Sequence, residues 1–406
     1  MQPTIYCCAC GDSESSKTFQ DLSPELQKSL KKIISKEGYL FCNVEIRDLN
    51  SGGGSFLGEL FEIDIKGETA KEEKETNIFI KQSFTLERLQ FISITEVFQK
   101  EVFVYNELSK IFARLQDQAK VPVEDRFKLV KSFEETDDNA IILENLTKKG
   151  FQTYDRMKVM PLKYTQLAVK ELAKFHGLSI IIENKMPEYF EKNIKNLNHS
   201  FRYDEDWEGL IRNVCTYIAG LYDGEIKLKI QNLIPVIIDK FPKYGGKQKS
   251  VRCTLCHCDF RTNNILVREE EGEAIEVITV DYQLIDFGCP IRDFLFFIFA
   301  GTDQEFRKLH LNDLKELYFE SLSKFLNYFG MDVENVYPKK DFDKIYTEWL
   351  DYGLFMTLFG SVFLFAPESG YDMSNMTFSE IPVGFDDDVN DRIRGLVDDF
   401  INWGCL

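Results

Sequence analysis

An acidic turn between two short apolar runs limits the fold of this chain more than any other feature. Residues 265–267 (ILV) and 275–280 (IEVITV) flank the turn REEEGEA, and two β-rich runs around such a turn predict a β-hairpin. The polar loop DFRTNN leads into the first strand, and Asp281 follows the second. Because the hairpin carries the chain directly from Asn264 to Asp281, we expect these two side chains on adjacent backbone segments.

The loop before the hairpin carries a spacing that suits catalysis. Residues 257–264 read HCDFRTNN, which places His257, Asp259 and Asn264 in the pattern HxDxxxxN. At the base of a cleft, this spacing allows Asp259 to face a substrate hydroxyl while Asn264 turns toward a metal ion. The same spacing also arises by chance as a turn with an Asx hydrogen bond. The hairpin favours the catalytic interpretation, because phosphoryl transfer needs two metal-holding side chains on adjacent segments.

Two aspartates compete for the second metal position. Asp281 ends a predicted strand, whereas Asp286 opens the triplet Asp-Phe-Gly that is typical of protein kinases. We favour Asp281, because a side chain at the end of a strand is held rigidly over a cleft and lies at a distance from Asp259 that suits a short hairpin. Asp286 is then expected to be a loop residue that makes local turn hydrogen bonds.

Charge and composition restrict the classes of partner. The 406 residues carry a formal charge of −18 and are enough for two or three folding units with a cleft between them. A field of that sign repels nucleic-acid backbones and anionic lipids, so we expect neither nucleic acid nor a membrane as partner. The first residues contain no apolar stretch of signal-peptide length, and the longest apolar-rich run, residues 353–367, is too short to span a bilayer. An anionic ligand would need local cations or a metal ion.

Cysteine usage indicates a reducing compartment. The 10 cysteines lack the density of a secreted disulfide scaffold, which predicts free thiols and a cytoplasmic location. Cys253, Cys256, His257 and Cys258 include a CxxC spacing that is found in zinc sites. A second pair of ligands is missing, so we favour buried core or strand cysteines.

The order of predicted elements is strands, helix, strand and then a mostly helical remainder. The glycine cluster and strand of Ser51–Gly67 precede the strand-like run NIFIKQSF. Apolar residues at helical steps predict a helix within residues 91–115 that carries Glu101 beside its buried stripe. The run NAIILENL predicts another strand, and Pro161 suits the start of a further helix.

Seven segments carry a family resemblance: IFIKQ, FQKEVFVYNEL, IILENLTKKGF, LAKFHGLS, LCHCDFRTNNILV, VDYQLIDFGCPIRDFLFF and YGLFMTLFG. In this order they resemble the ecdysteroid kinase-like small-molecule kinases, relatives of aminoglycoside phosphotransferases and choline kinases within the protein-kinase-like fold. The family's metal-binding aspartate stands in a DFQ-like triplet before a second aspartate, and Asp293 follows Asp281 by the family's interval of 12 residues. The resemblance therefore also favours Asp281 over Asp286.

The resemblance implies an α+β fold of two lobes that binds ATP and Mg²⁺ between them. Residues 1–146 would form a small β-rich N-lobe with a glycine-rich loop, a phosphate-binding lysine and a hinge. Residues 147–406 would form a larger, mainly helical C-lobe with the catalytic loop and the metal site. Asp259 would be the catalytic residue, with Asn264 and Asp281 as metal ligands.

The nucleotide-binding residues are likewise implied by the resemblance. Lys81 would grip the phosphates, with Glu101 as its helix partner; a solvated strand lysine and a surface glutamate are the alternatives. These two residues and five others would form the nucleotide site: Gly52, Gly53 and Gly54 in the glycine-rich loop, and Glu144, Asn145 and Leu146 in the hinge. SGGGSFLG does not have the GxGxxG spacing, so a plain flexible turn is an alternative for the glycines.

The chain departs from the family at two positions. Cys258 stands where the family has glycine; because protein kinases place Arg at this position, we expect that the backbone does not require glycine there. Asn145 stands where the family usually has an acidic residue, which should matter little if the hinge contacts are made by backbone. His176, His257 and Asp293 are interpreted as structural residues.

The resemblance implies a kinase that acts on a hydroxyl of a small molecule, with an ecdysteroid or a similar apolar alcohol as the favoured acceptor. A choline- or aminoglycoside-type kinase and a catalytically inactive, kinase-like ligand-binding protein are the alternatives. Protein-kinase activity is disfavoured, because residues 281–293 leave no room for an activation segment. The sequence does not indicate an oligomeric state.

Overall fold

A computed structural model describes residues 4–6, 16–49, 58–83, 92–245, 251–367, 371 and 376–406 of the chain. The three glycines of the predicted phosphate loop, Gly52, Gly53 and Gly54, lie outside the described residues. Within the described residues, no helix is both long enough and apolar enough to cross a membrane.

A six-stranded sheet forms the N-terminal lobe. Its strands are β1 (Thr4–Tyr6), β2 (Ser16–Lys17), β3 (Tyr39–Asp48), β4 (Glu59–Thr69), β5 (Glu73–Gln82) and β6 (Ala140–Glu144). The spatial order is β1-β3-β4-β5-β6, with β2 beside β3. All pairs are antiparallel except β1 with β3.

Three helices accompany this sheet. They are α1 (Pro24–Lys36), α2 (Ile94–Phe103) and α3 (Ser109–Gln118). Helix α1 packs Leu30 and Ile33 against sheet residues such as Ile63 and Ile80, which alternate along their strands to face one side. The predicted helix at residues 91–115 corresponds to α2 and α3, joined through a π-helical turn at Val104–Leu108.

The C-terminal lobe is mainly helical. Its helices are α4 (Leu162–Lys185), α5 (Pro187–Tyr189), α6 (Glu205–Ala219), α7 (Gly224–Lys240), α8 (Ile291–Gly301), α9 (Gln304–Asn327), α10 (Val333–Val336), α11 (Lys339–Glu348), α12 (Leu350–Leu364) and α13 (Asp387–Asn402). Every residue of α8 is buried, which explains its run of phenylalanines as core packing. A single large apolar cluster joins these helices. The predicted two-lobed α+β fold is confirmed.

Two small sheets in the C-lobe support the loops between the lobes. Their strands are β7 (Phe151–Thr153), β8 (Thr254–Cys256), β9 (Ile265–Glu270), β10 (Glu273–Thr279) and β11 (Asp286–Gly288). Strands β9 and β10 form the predicted hairpin, in which Ile265 pairs with Thr279. The Val280 N–H donates to the Asn264 carbonyl over 2.9 Å, so Asn264 and Asp281 leave the hairpin side by side.

Asp286 corrects one sequence expectation. The prediction that it is a loop residue with local turn hydrogen bonds is wrong: it lies in β11 and pairs with Cys256 of β8. Its carboxylate is fully buried and forms an ion pair with the Arg292 guanidinium. Burial without a partner would be very costly for a carboxylate, and Arg292 provides the compensating charge.

Candidate active site

Lys81 joins the two lobes through its ammonium group. It lies near the end of β5, between Leu60 of β4 and Ile141 of β6, and is 8% exposed. Its Nζ donates to Glu101 Oε2 of α2 over 2.7 Å and to Asp281 Oδ1 over 2.9 Å. A strand and a helix of the N-lobe and the segment after the C-lobe hairpin therefore meet at one cation.

The charges of this cluster are strongly coupled. Burial alone would lower the pKa of Lys81, but the carboxylates of Asp281 and Glu101 outweigh burial and raise it, so the amine stays protonated. Burial raises the pKa of Glu101, and Asp281 raises it further, while Lys81 opposes both effects. The cluster thus holds a fixed cation together with more negative charge than one lysine balances.

Gln283 completes the cluster, although no pattern in the sequence predicts a role for it beyond its place in the DFQ-like triplet. Its Oε1 accepts from Lys81 Nζ over 2.9 Å, and its Nε2 donates to Asp281 Oδ2 over 3.2 Å. Asp281 has a left-handed backbone with φ of 65°, a conformation that aspartate tolerates better than most residues. This turn, together with Gln283, fixes the direction of the Asp281 carboxylate.

The residues of the HxDxxxxN loop form a second polar group on the C-lobe. The Asn264 Nδ2 donates to the Asp259 carbonyl over 2.9 Å and to Asp259 Oδ2 over 2.7 Å. The Arg261 Nε donates to Asp259 Oδ1 over 2.8 Å. Nothing in the HxDxxxxN pattern predicts Arg261, because its position in that pattern is variable. Asp259 is therefore held from both sides.

A buried network supports this loop from below. The Asp293 carboxylate accepts from the His257 N–H over 2.6 Å, the Cys258 N–H over 2.8 Å and His176 Nε2 over 3.1 Å. Burial on its own would raise the pKa of Asp293, but the hydrogen bond from His176, the charge of Arg292 and the electrostatic effects of the neighbouring histidines together outweigh it and lower the pKa. Burial lowers the pKa of His176, which suits a neutral imidazole whose second nitrogen meets the Tyr318 hydroxyl at 2.7 Å. Asp293, which His176 contacts, therefore holds the loop backbone at His257 and Cys258 in position.

Cys258 adopts a backbone conformation that glycine usually occupies. Its φ is 64°, in the left-handed region, and the cysteine takes this conformation in place of the family's glycine. A residue with a Cβ costs about 1–2 kcal/mol in that conformation. The two N–H bonds to Asp293 hold the loop in this shape despite the cost. Burial raises the pKa of the Cys258 thiol, which keeps it protonated and unreactive.

The thiols and imidazole of the CxxC region make hydrogen bonds that suit core packing. Cys256 Sγ lies 3.3 Å from the Gly288 carbonyl, and His257 Nε2 lies 3.1 Å from the Val280 carbonyl. Both contacts use atoms that a zinc ion would need. The arrangement agrees with the interpretation of these residues as core or strand residues.

The predicted hinge residues run from Glu144, the last residue of β6, to Leu146 and leave one backbone donor available. The N–H groups of Glu144 and Asn145 donate to the carbonyls of Lys131 and Asn77. Leu146 begins a 3-10 turn, so its N–H has no acceptor within that turn. The Asn145 Oδ1 caps the turn by accepting from the Thr147 N–H over 3.0 Å. An acidic residue would accept the same bond, which explains why the family's acid can be replaced by asparagine here.

One cavity of about 970 Å³ connects the Lys81 cluster, the Asp259 loop and the predicted hinge. Lys81, Glu101, Asp259, Asn264 and Asp281 line its polar part. The hinge residues lie along the same cavity. Apolar residues of both lobes line the rest of it, and those from the helical side include Phe201, Leu284, Phe296, Met356, Phe359, Phe363, Leu364 and Phe378.

The polar part fits a divalent cation of the Mg²⁺ type by its donor atoms. Asp281 has a side chain that is 26% exposed, and its carboxylate lines the cavity. The Asn264 Nδ2 is used by Asp259, which leaves Asn264 Oδ1 as the atom that can bind a cation. Carboxylate and amide oxygens are the ligands that Mg²⁺ prefers.

The lobes, the bridging lysine and the loop geometry define a protein with the protein-kinase-like fold. The family model described as the ecdysteroid kinase-like family matches residues 52–331. The chain belongs to this family, and the resemblance read from its motifs is confirmed. No curated protein matches the chain.

Three solved structures are similar to the chain, with low sequence identities and low TM-scores. The ethanolamine kinase of Plasmodium vivax is 13% identical, covers 78% of this chain and 81% of its own, and has a TM-score of 0.37. Choline kinase LicA of Streptococcus pneumoniae is 14% identical over 93% of this chain and 99% of its own, with a TM-score of 0.34. The streptomycin-ATP-APH(2")-IIa complex is 15% identical over 81% of this chain and 99% of its own, with a TM-score of 0.36. Scores this low carry no weight for the activity of this chain.

Proposed function

We propose that the protein is an ATP- and Mg²⁺-dependent kinase that phosphorylates a hydroxyl of a small molecule. The observation that carries this proposal is the contact of Lys81 with both Glu101 and Asp281 across the lobes, beside Asp259 and Asn264. Phosphoryl transfer depends mainly on positioning and on neutralising charge, and these residues offer both.

Each group has a place in this proposal. Lys81, fixed by Glu101, binds the nucleotide phosphates, and Asn264 with Asp281 holds Mg²⁺, which neutralises phosphate charge when bound. The adenine edge lies along the hinge of Glu144, Asn145 and Leu146, with the Leu146 N–H as donor. Gly52, Gly53 and Gly54, which lie outside the described residues, stay predicted members of a loop that would approach the phosphates. The lobe boundary falls between residues 146 and 147.

In the proposed transfer reaction, Asp259 accepts the proton that the acceptor hydroxyl releases. The acceptor hydroxyl oxygen forms a bond to the terminal phosphorus, and the bond from that phosphorus to the bridging oxygen of ATP breaks, with its electron pair leaving on ADP. The hydroxyl proton passes to the Asp259 carboxylate. Asn264 and Arg261 hold that carboxylate toward the cavity.

The wall of the cavity favours a neutral, apolar acceptor. Its aromatic and aliphatic side chains suit a large apolar alcohol such as an ecdysteroid. The carboxylates that line the cavity each have a lysine or arginine partner, although Glu101 and Asp281 share Lys81, so most of their negative charge is offset before a cationic acceptor such as choline or an aminoglycoside could bind. These carboxylates are Glu62, Glu101, Glu144, Asp155, Asp259 and Asp281.

The thiols support the proposed cytoplasmic location. Cys215, Cys256 and Cys289 are buried and free. Free thiols persist in reducing compartments.

A phosphate-transfer assay tests the function. Radiolabelled ATP with Mg²⁺ is supplied together with an ecdysteroid, an aliphatic alcohol, choline, an aminoglycoside or a protein acceptor, and Asp259→Asn serves as the inactive control. Transfer to the ecdysteroid or the apolar alcohol is expected. Transfer only to choline or the aminoglycoside would overturn the acceptor class. Nucleotide binding without transfer to any acceptor would instead support an inactive, kinase-like binding protein.

A further inference from the structure

Three cationic side chains line the cavity among the described residues, and they differ in how their donors are used. Lys81 donates to two carboxylates and an amide. Arg156 donates through both terminal nitrogens, over 2.7 Å each, to the carbonyls of Leu364 and Ala366. Arg261 uses only its Nε, toward Asp259. Arg261 is therefore the cation whose two terminal nitrogens are available to a ligand.

The Asp259 contact orients these nitrogens. A guanidinium is planar, so a bond at Nε fixes the plane of the whole group and preorganises the remaining donors. The Arg261 side chain is 18% exposed and lines the cavity next to Asp259 and Asn264. Planar guanidinium forks suit phosphate oxygens, which accept two parallel hydrogen bonds.

Arg261 stands between the two groups that flank the transferred phosphoryl in the proposed function. It follows Asp259, which would meet the acceptor hydroxyl, and precedes Asn264, which would hold the metal ion. Lys81 approaches the phosphates from the N-lobe, so the C-lobe side otherwise presents the carboxylates of Asp259 and Asp281 to an anion. In a chain with a net charge of −18, a cation at this position offsets repulsion of the terminal phosphate.

We propose that Arg261 is a phosphate-binding residue that contacts the terminal phosphoryl group of the nucleotide. This inference rests on the proposed function and adds to it a residue outside the HxDxxxxN pattern. A purely structural Arg261, which only holds Asp259, is the competing explanation. The two differ in whether the arginine distinguishes a nucleoside triphosphate from a diphosphate.

Calorimetric binding of AMP-PNP and of ADP, each with Mg²⁺, tests the difference. For Arg261→Met we expect AMP-PNP affinity to fall by about tenfold or more, the size of a lost charge-assisted hydrogen bond. ADP affinity should stay within about twofold, since it lacks the contacted group. Arg268→Met is the matched control, because Arg268 pairs with Glu270 and Glu276 outside the main cavity.

Arg261→Gln separates the two explanations further, because glutamine keeps a donor for Asp259 but no charge. We expect it to lose AMP-PNP affinity as the methionine variant does. Arg261→Gln also replaces Arg261→Met as the test variant if the methionine variant unfolds at a lower temperature.

Three outcomes would overturn the inference. The first is wild-type AMP-PNP affinity in Arg261→Gln. The second is an equal loss of affinity for AMP-PNP and for ADP in Arg261→Met, and the third is unchanged AMP-PNP affinity with reduced turnover in Arg261→Met. If the wild-type protein binds neither nucleotide, the proposed function itself fails. That result is distinguishable from a failure of Arg261 alone.

Discussion

Asp293 and Asp281 lie 12 residues apart, yet the protein treats their carboxylates in opposite ways. Asp293 has a side chain that is 1% exposed, and it accepts three N–H donors from the catalytic-loop backbone and His176. Asp281 is 26% exposed, lines the cavity and shares its lysine with Glu101. A carboxylate saturated by the protein's own donors positions other residues, whereas one with oxygens toward a cavity can bind a ligand.

Asp286 is a third aspartate in this comparison, because it opens the Asp-Phe-Gly triplet that is typical of protein kinases. The Arg292 guanidinium saturates it in the core. Gly288 of the same triplet is needed for packing: a Cβ there would lie 2.1 Å from an Arg292 nitrogen. Asp286 of the Asp-Phe-Gly triplet therefore forms a buried ion pair. The carboxylate that lines the cavity instead belongs to Asp281.

The largest effect expected from this comparison is loss of turnover in Asp259→Asn. Proton acceptance commonly contributes about 10²–10⁴ in rate, so turnover should fall by about 10³-fold. Nucleotide affinity should remain near that of the wild type, because in the proposed function Asp259 faces the acceptor. Steady-state kinetics and calorimetry measure the two quantities. Wild-type turnover by this variant would remove Asp259 from the mechanism.

Lys81→Met should weaken nucleotide binding by about 10²-fold, because it removes a buried cation and leaves Glu101 and Asp281 to repel phosphate. Calorimetric titration with AMP-PNP measures the loss. Lys74→Met is the matched control in the same strand, since its ammonium pairs with Glu37 away from the cavity. Equal losses in the two variants would contradict the assignment of Lys81.

Asp293→Asn should lower the free energy of unfolding by about 3 kcal/mol, because a side-chain amide cannot accept all three buried N–H donors. The same substitution at Asp259 should cost no more than about 1 kcal/mol, as that carboxylate faces the cavity. Urea unfolding of both variants provides the comparison. Similar losses would mean that the two aspartates are not distinct in the way described.

The raised pKa of Glu101 predicts a pH dependence of stability. A carboxyl whose folded pKa lies above its unfolded value near 4.3 contributes stability in full below that value, and the contribution declines as pH rises through the folded pKa. Glu101→Gln should therefore flatten the decline on the alkaline side of pH 4.3, by at most about 1.4 kcal/mol per pH unit. Urea unfolding at a series of pH values measures the slope. A decline as steep in the variant as in the wild type is the contrary result.

The smallest effects are expected at Cys258, where the left-handed backbone decides the outcome. Cys258→Gly should change the free energy of unfolding by less than about 1 kcal/mol, because relief of strain offsets the greater entropy of the unfolded glycine. Cys258→Val should cost about 2 kcal/mol, since a β-branched residue is poorly tolerated there. Thermal and urea unfolding distinguish them. Equal stability of the two variants would argue against backbone strain.

Local patterns predicted the parts of the molecule that depend on local chemistry. The acidic turn and its flanking strands predicted the hairpin, and helical periodicity predicted the helix that carries Glu101. Helix α1 was not predicted, although the sequence carries a local signal for it: Ser23 caps it, Pro24 starts it, and Leu26 and Leu30 lie on its buried face.

Other features depend on contacts between distant segments, so the sequence could not predict them. The left-handed backbone of Cys258 follows from two hydrogen bonds to Asp293, and the strand position of Asp286 follows from pairing with Cys256. The cavity contacts of Gln283 and Arg261 likewise arise only when the hairpin, the loop and Lys81 come together.

The most direct test of the account is the Mg²⁺ dependence of AMP-PNP binding in the wild-type protein and in Asp281→Asn. We expect Mg²⁺ to strengthen binding by the wild type by at least about tenfold, as a metal that bridges carboxylate and phosphate should. In Asp281→Asn, affinities with Mg²⁺ and with EDTA should be nearly equal. An undiminished Mg²⁺ dependence in this variant would contradict the claim that Asp281 holds the metal beside Lys81.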